Sequence, residues 1–173
     1  MTVRNASRGK LKLPAHVLFR KDLSLMLWKP HGILDELLVN ELVAFIDLAE
    51  EKASKPFNRF ADLSELDMVD LNFKFVFHIA LHRRLASASH SPVKSVFYIT
   101  SPAIAHYAKV HAMLTDYSPL DVALFTEREA AAKWLEVPVE VLMAQHASET
   151  KVMGEHRRQS KQSRLELGLR LSD

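Results

Sequence analysis

The sequence predicts a single α/β domain, built on a mixed and mostly parallel sheet of about five strands with four to five helices packed against it. Three observations predict this fold. Short β-branched or aromatic runs recur along the chain, segments with apolar residues at helical spacing fall between them, and Pro, Ser and Gly breakers separate the two. With 173 residues the chain is long enough for one sizeable core and too short for two comfortable ones.

His16–Arg20 and Leu23–Trp28 are two β-compatible runs around Lys21-Asp22, the pattern of a hairpin. Pro30-His31-Gly32 breaks the chain. From Ile33 to about Lys52, Leu34, Leu37, Leu38, Leu42, Phe45, Ile46 and Ala49 follow helical spacing. Phe57–Leu63 alternates like a strand. Leu71 to about Ala86 reads as a helix, with Phe73, Val76, Phe77 and Ala80 on its sheet-facing side. Val93–Thr100 is β-branched and aromatic, as a buried central strand should be. Ser101-Pro102 opens a helix, with serine at the cap and proline at the first helical position. Leu120–Phe125 is the next strand. Thr126-x-x-Glu129 has the spacing of a capping box and should start a helix through Trp134-Leu135. Val137-Pro138 restarts a short helix to about Gln145. The domain is thus expected over 15–145, after a basic arm at 1–14 and before a charged tail at 146–173.

Composition narrows the function. The chain has no cysteine, which removes disulfides, cysteine-bearing zinc sites and thiol nucleophiles, and a reducing cytoplasm fits. No apolar run approaches the length of a membrane span, and the first residues carry Arg4, Arg8, Lys10 and Lys12 without a secretory apolar core. A net charge of +2 argues against nucleic acid as the principal partner. The four glycines, Gly9, Gly32, Gly154 and Gly168, are too scattered to cradle a phosphate, so neither a P-loop nor a dinucleotide fingerprint is present. There is no G-x-S-x-G elbow and no HExxH pair. No cofactor is expected.

One polar stripe stands out. Asp70, Lys74, His78 and His82 recur at i, i+4 intervals, so they share a helix face. Two histidines four apart can hold a metal, but a lysine in the row and no obvious third ligand make a solvated or partner-facing stripe the simpler reading. On the helical wheel Leu71, Phe75, Leu81 and Leu85 flank it, away from the sheet-facing side. An apolar surface with basic residues suits a protein interface or self-association as a homo-oligomer. Trp28 and Trp134 read as core or rim packing. His106 and His111 do not share a face, and no chemistry is assigned to them.

The segment Ala61-Asp62-Leu63-Ser64, followed after five residues by Asp70, resembles the signature of the STAS fold typified by SpoIIAA, the anti-sigma factor antagonist. The chain is most similar to the SpoIIAA-like (STAS-like) domains. Similar features are Trp28-Lys29-Pro30-His31-Gly32, Phe57-Asn58-Arg59-Phe60-Ala61-Asp62, and the late Phe125 to Leu135 stretch. The resemblance covers roughly 15–145. It implies that Asp62 and Asp70 mark the functional edge of the sheet. It does not carry the family's phospho-switch, because Leu71 stands where the phosphorylatable serine would be and the glycine after it is missing. Ser64 matches a structural position, where turn chemistry suits it.

Three functions compete. The first is a non-enzymatic regulatory or interaction module acting through Asp62, Ser64, Asp70, Leu71, Lys74, Phe75, His78 and His82. The second, which the resemblance permits because related domains lie near lipid-carrying folds, is a binding or carrier domain for a small apolar or lipid-like ligand. The third is a hydrolase-type enzyme using Asp70, His78 and His82 as acid–base groups, for which no nucleophile, metal set or cofactor motif converges.

Overall fold

The alternation of strands and helices builds two sheets. The computed structural model describes residues 13–14, 16–53, 56–87 and 91–143. Most of the expected basic arm, the end of the last helix at Gln145 and the charged tail lie outside the described residues.

The chain begins with β1 (Val17–Arg20), a 3-10 turn (Lys21–Leu23) and β2 (Leu25–Trp28), then β3 (Gly32–Asp35) and α1 (Glu36–Lys52). It continues with β4 (Asn58–Asp62), β5 (Leu66–Asp70), α2 (Phe73–Ser87) and β6 (Val93–Tyr98). The last elements are α3 (Pro102–Thr115), β7 (Leu120–Phe125), α4 (Arg128–Leu135) and α5 (Val139–Met143). Strands β1-β2-β4-β6-β7 form a five-stranded sheet in that order. Only the β1–β2 pair is antiparallel, the hairpin expected around Lys21-Asp22, and every later pairing is parallel. The expected fold class, with about five strands and five helices, is what the chain forms.

Two elements depart from expectation. Ile33-Leu34 looked like the first turn of α1, but it lies in β3, which pairs in parallel with β5 as a separate two-stranded sheet. Gly32 takes φ +75 to enter β3, a left-handed conformation that glycine adopts at low cost. Helix α1 therefore starts later, at Glu36, where Asp35 Oδ1 accepts a hydrogen bond from Leu38 N–H at 2.8 Å. The Thr126-x-x-Glu129 capping box does not form: Glu127 occupies the cap of α4, no side chain caps it, and Glu129 falls one position short of the residue a capping box uses. Ser101 precedes Pro102 as expected, without a side-chain cap bond.

Neighbouring residues of the large sheet go to opposite cores, as a period of two requires when both faces are covered. Met26, Trp28 and Ala61 join Phe45 and Ile46 of α1 and Ile104 and Ala108 of α3. Leu25, Leu27, Phe60 and Val96 join Ala131, Ala132 and Leu135 of α4 and Leu142 of α5. Phe60, Leu25, Leu27 and Val96 have no exposed surface, and each such side chain contributes about 1.5–3 kcal/mol by leaving water. On α2 the buried stripe is Val76, Ala80, Arg83 and Ser87. Phe73 and Phe77, expected to face the sheet, are about half exposed, and Phe73 stacks on Tyr107 of α3 at 5.1 Å. The helix is rotated so that Arg83 turns inward, because two carboxylates of α1 await it.

The two helix starts can be separated by experiment. Asp35→Ala should lower the unfolding free energy by about 1 kcal/mol, while Thr126→Ala should change it by less than about 0.5 kcal/mol, both read from urea denaturation. The reverse ranking would place the caps wrongly.

Candidate functional site

The eight residues singled out from the sequence separate into three groups. Asp62, at the end of β4, is 1% exposed. Its Oδ1 accepts from the backbone N–H and the hydroxyl of Ser64, at 3.1 and 2.5 Å, and its Oδ2 accepts from Arg128 Nη2 at 2.6 Å. The Arg128 guanidinium lies 4.4 Å over the Tyr98 ring. Burial is the largest single influence and works against this guanidinium's charge, but the hydrogen bond and charge of Asp62, together with the charges of Tyr98 and Glu65, outweigh it and hold Arg128 above its ordinary value. This cluster ties the ends of β4 and β6 to the start of α4.

Asp70, Lys74, His78 and His82 stay on the surface. Asp70 ends β5 opposite Asp35, outside the sheet that carries Asp62. His82 reaches α1, with Nε2 2.8 Å from Asp47 Oδ2. Among the described residues no group of three or more His, Asp or Glu is placed to hold a metal ion.

Leu71 and Phe75 form the third group. They were expected on the outward side, but both are half-buried and line a cavity of about 140 Å³ between the large sheet and α1, α2 and α3. Asn72 sets this geometry by capping α2, its Oδ1 accepting from Phe75 N–H at 2.8 Å while its amide donates to Glu36 Oε1 at 2.5 Å. The walls are carbon almost throughout. The sheet supplies Met26, Trp28, Ala61 and Phe97, and the helices supply Leu42, Ile46, Val76 and Ile104. The space exists because Ala61, Ser95 and Ala108 are small where larger side chains would meet.

One part of the lining is charged. Arg59, inward on β4, and Arg83, on the buried stripe of α2, have side chains 7% and 3% exposed. Glu50 of α1, itself 8% exposed, is paired with both; its Oε2 lies 2.9 Å from Arg83 Nη2 and its Oε1 meets Arg59. Arg83 also meets Asp47. Burial, then the charge of Arg83, pushes Arg59 down to about 10, and Glu50 pulls the other way. His111 of α3 lines the same cavity with its ring against Phe97. Burial, then Arg83 and Arg59, pushes its imidazole down to about 4, so it is neutral near pH 7.

Arg59, Arg83, Glu50, Asp47 and His111 were missed as site residues, although the sequence carried a signal for two of them. Arg59 occupies an inward position between Phe57 and Ala61, and Arg83 continues the spacing of Val76 and Ala80. A charge on an apolar stripe needs a partner.

No protein-family model matches the chain, and no curated protein matches it. Among solved structures, the chain is similar to an uncharacterised protein of the DUF3478 family from Shewanella loihica PV-4, described as having a SpoIIAA-like fold. The two share 16% identity over 64% of this chain and 83% of that one, with a TM-score of 0.42. Among the described residues, no helix is long and apolar enough to cross a membrane.

His111 gives the domain a pH dependence. The unfolded chain protonates this histidine near its ordinary 6.5, while the folded one resists until about 4. The contribution to stability is therefore complete above pH 6.5 and is lost as pH falls toward 4, by at most about 1.4 kcal/mol per pH unit. His111→Phe should flatten the urea midpoint across that window, and an unchanged slope would rule out a neutral buried imidazole. Asp62→Ala should lower stability by about 2 kcal/mol, because it strips Arg128 and the Ser64 turn of their acceptor. A fully stable Asp62→Ala variant would argue that the cluster is not structural.

Proposed function

We propose that the chain is a non-enzymatic binding domain for a small, largely apolar molecule held between the five-stranded sheet and helices α1, α2 and α3. The cavity carries this reading. Protein interiors leave few voids larger than a water molecule, and an empty apolar space of 140 Å³ would cost about 3 kcal/mol at the usual volume dependence. A bound molecule would return part of that cost. An apolar cavity of about 150 Å³ takes a benzene-sized guest, which sets the scale: one ring or a short chain, with any longer part emerging past the half-buried Leu71 and Phe75.

A second reading, a partner or self-association surface, is favoured by the outer side of α2. Phe73, Phe77, Leu81 and Leu85 recur there at i, i+4 intervals and are 48%, 47%, 43% and 67% exposed. Lys74 and His78 each follow one of these phenylalanines on α2, which supports the interaction-module reading. The hydrolase reading gains no support. Phe73 opens α2, so His82 stands roughly 13 Å along the helix from its start, beyond the reach of Asp70, and it is bound to Asp47.

Toluene tests the first reading. At saturation it should raise Tm by about 3 °C or more, and Ala108→Leu, which fills the cavity from α3, should remove the response while leaving the domain folded. A wild-type Tm that does not move would overturn it.

A further inference from the structure

The exposed apolar row of α2 continues onto α3. Phe73 stacks on Tyr107 and meets the His106 ring edge-on at 5.3 Å, while Arg84 Nη1 donates to Leu114 O at 3.4 Å. The two helices therefore lie side by side and run the same way. His106 is exposed, and Met113, two turns on from it, shares its outward side and is 77% exposed. Large apolar side chains thus protrude from both helices and make one broad face.

The charges on this face have one sign. Neither α2 nor α3 contains Asp or Glu. Lys74 and Arg84 stand in the apolar row of α2, and Lys109 lies one turn before Met113, all three exposed. Among the described residues no ion pair engages any of these cations. Asp47 is taken by His82 and Arg83, and Asp70 and Asp116 lie beyond the helix ends. An occupant must therefore cover apolar side chains and also supply negative charge. A second copy of the chain fails the second requirement, because a two-fold contact sets the same patch on both sides, cation against cation. The ends of the chain fit no better: 1–14 carries Arg4, Arg8, Lys10 and Lys12 and no acid, and 146–173 has more basic than acidic residues. A folded protein partner would need a surface shaped to side chains protruding from two helices, whereas fluid acyl chains accept them in any arrangement. Phe and Leu set among Lys and Arg is the composition of helices that lie in the interface of an anionic bilayer.

We infer that the outer face of α2 and α3 docks on an anionic lipid surface, with Phe77 and Leu81 entering between the headgroups and Lys74, Arg84 and Lys109 meeting lipid phosphates. This inference rests on the outer side of α2 being a partner surface, narrows that reading to one occupant, and is independent of the cavity.

Vesicle flotation of the full chain at about 0.1 M salt provides the test. Vesicles of phosphatidylcholine and phosphatidylglycerol in equal parts should bind it at least ten-fold more tightly than phosphatidylcholine alone. Lys74→Gln should weaken binding to the anionic vesicles about five-fold, and Phe77→Ser, which adds no charge, at least ten-fold. Both positions are exposed, and an unchanged urea midpoint checks that each variant is folded. Anionic binding that survives Phe77→Ser belongs to the basic residues at the chain's ends and overturns the inference, as does equal binding to both vesicles. No binding to the anionic vesicles overturns it as well, and sedimentation then tells what is left. A dimer that Phe77→Ser dissociates keeps the partner surface and puts a second copy on it, while a monomer leaves an acidic protein as the remaining occupant.

Discussion

Asp47, Arg83, Glu50 and Arg59 form one unbroken chain of ion pairs running from α1 through α2 to the middle of the large sheet. Its outer end is solvated, where His82 meets Asp47, and its inner end, Arg59, is buried at the cavity wall. A buried pair of this kind is weak evidence for stability, because the charges lose their hydration on folding. Its value lies in specificity. Arg83 has one place where both of its carboxylate partners can be met, and meeting them fixes the rotation of α2 about its axis. That rotation leaves Phe73 and Phe77 half exposed and brings Phe75 to the cavity beside Leu71.

The cavity is a consequence of the same latch. Long arginine side chains and their partners hold α1, α2 and β4 apart, and the residues between them are too small to close the gap. Ala61, Ser95 and Ala108 supply little volume where the sheet and α3 face it. A collapse that filled the space would have to move buried guanidinium groups away from Glu50, and removing one partner from such a pair typically costs about 3–5 kcal/mol. That matches or exceeds the roughly 3 kcal/mol gained by removing an empty cavity of this size, which favours the open arrangement. The two guanidinium groups also explain why His111 stays neutral, which links the electrostatics of the latch to those of the cavity wall.

Much of the architecture was legible in the residues. The β-branched run of β6, the hairpin of β1 and β2 and proline at the start of α3 each announce their element, because local preference and tertiary role agree there. β3 was hidden because Ile33 and Leu34 fit the helical spacing of Leu37 and Leu38, and four residues are too few for alternation to show. β5 was hidden because its pairing with β3 is a long-range event. The site was less legible. Helical spacing identifies a face but not its rotation toward a neighbour, so the exposed stripe through His78 drew attention that the inward charges Arg59 and Arg83 warranted. Those two charges find their meaning only with Glu50, which comes from an element distant in sequence. Asp62 was expected at a binding edge with Asp70; in the fold it bonds Arg128 and the Ser64 turn, and Asp70 lies in the other sheet.

The pairing of Glu50 with Arg83 is the point on which these relations turn, and a double-mutant cycle measures it. Glu50→Gln, Arg83→Met and the combined variant should reveal a coupling of about 1.5 kcal/mol or more in urea unfolding, the double change being far milder than the sum of the single ones. Strictly additive losses would mean that the two side chains do not hold each other, and the account of how α2 is set over the sheet would be wrong.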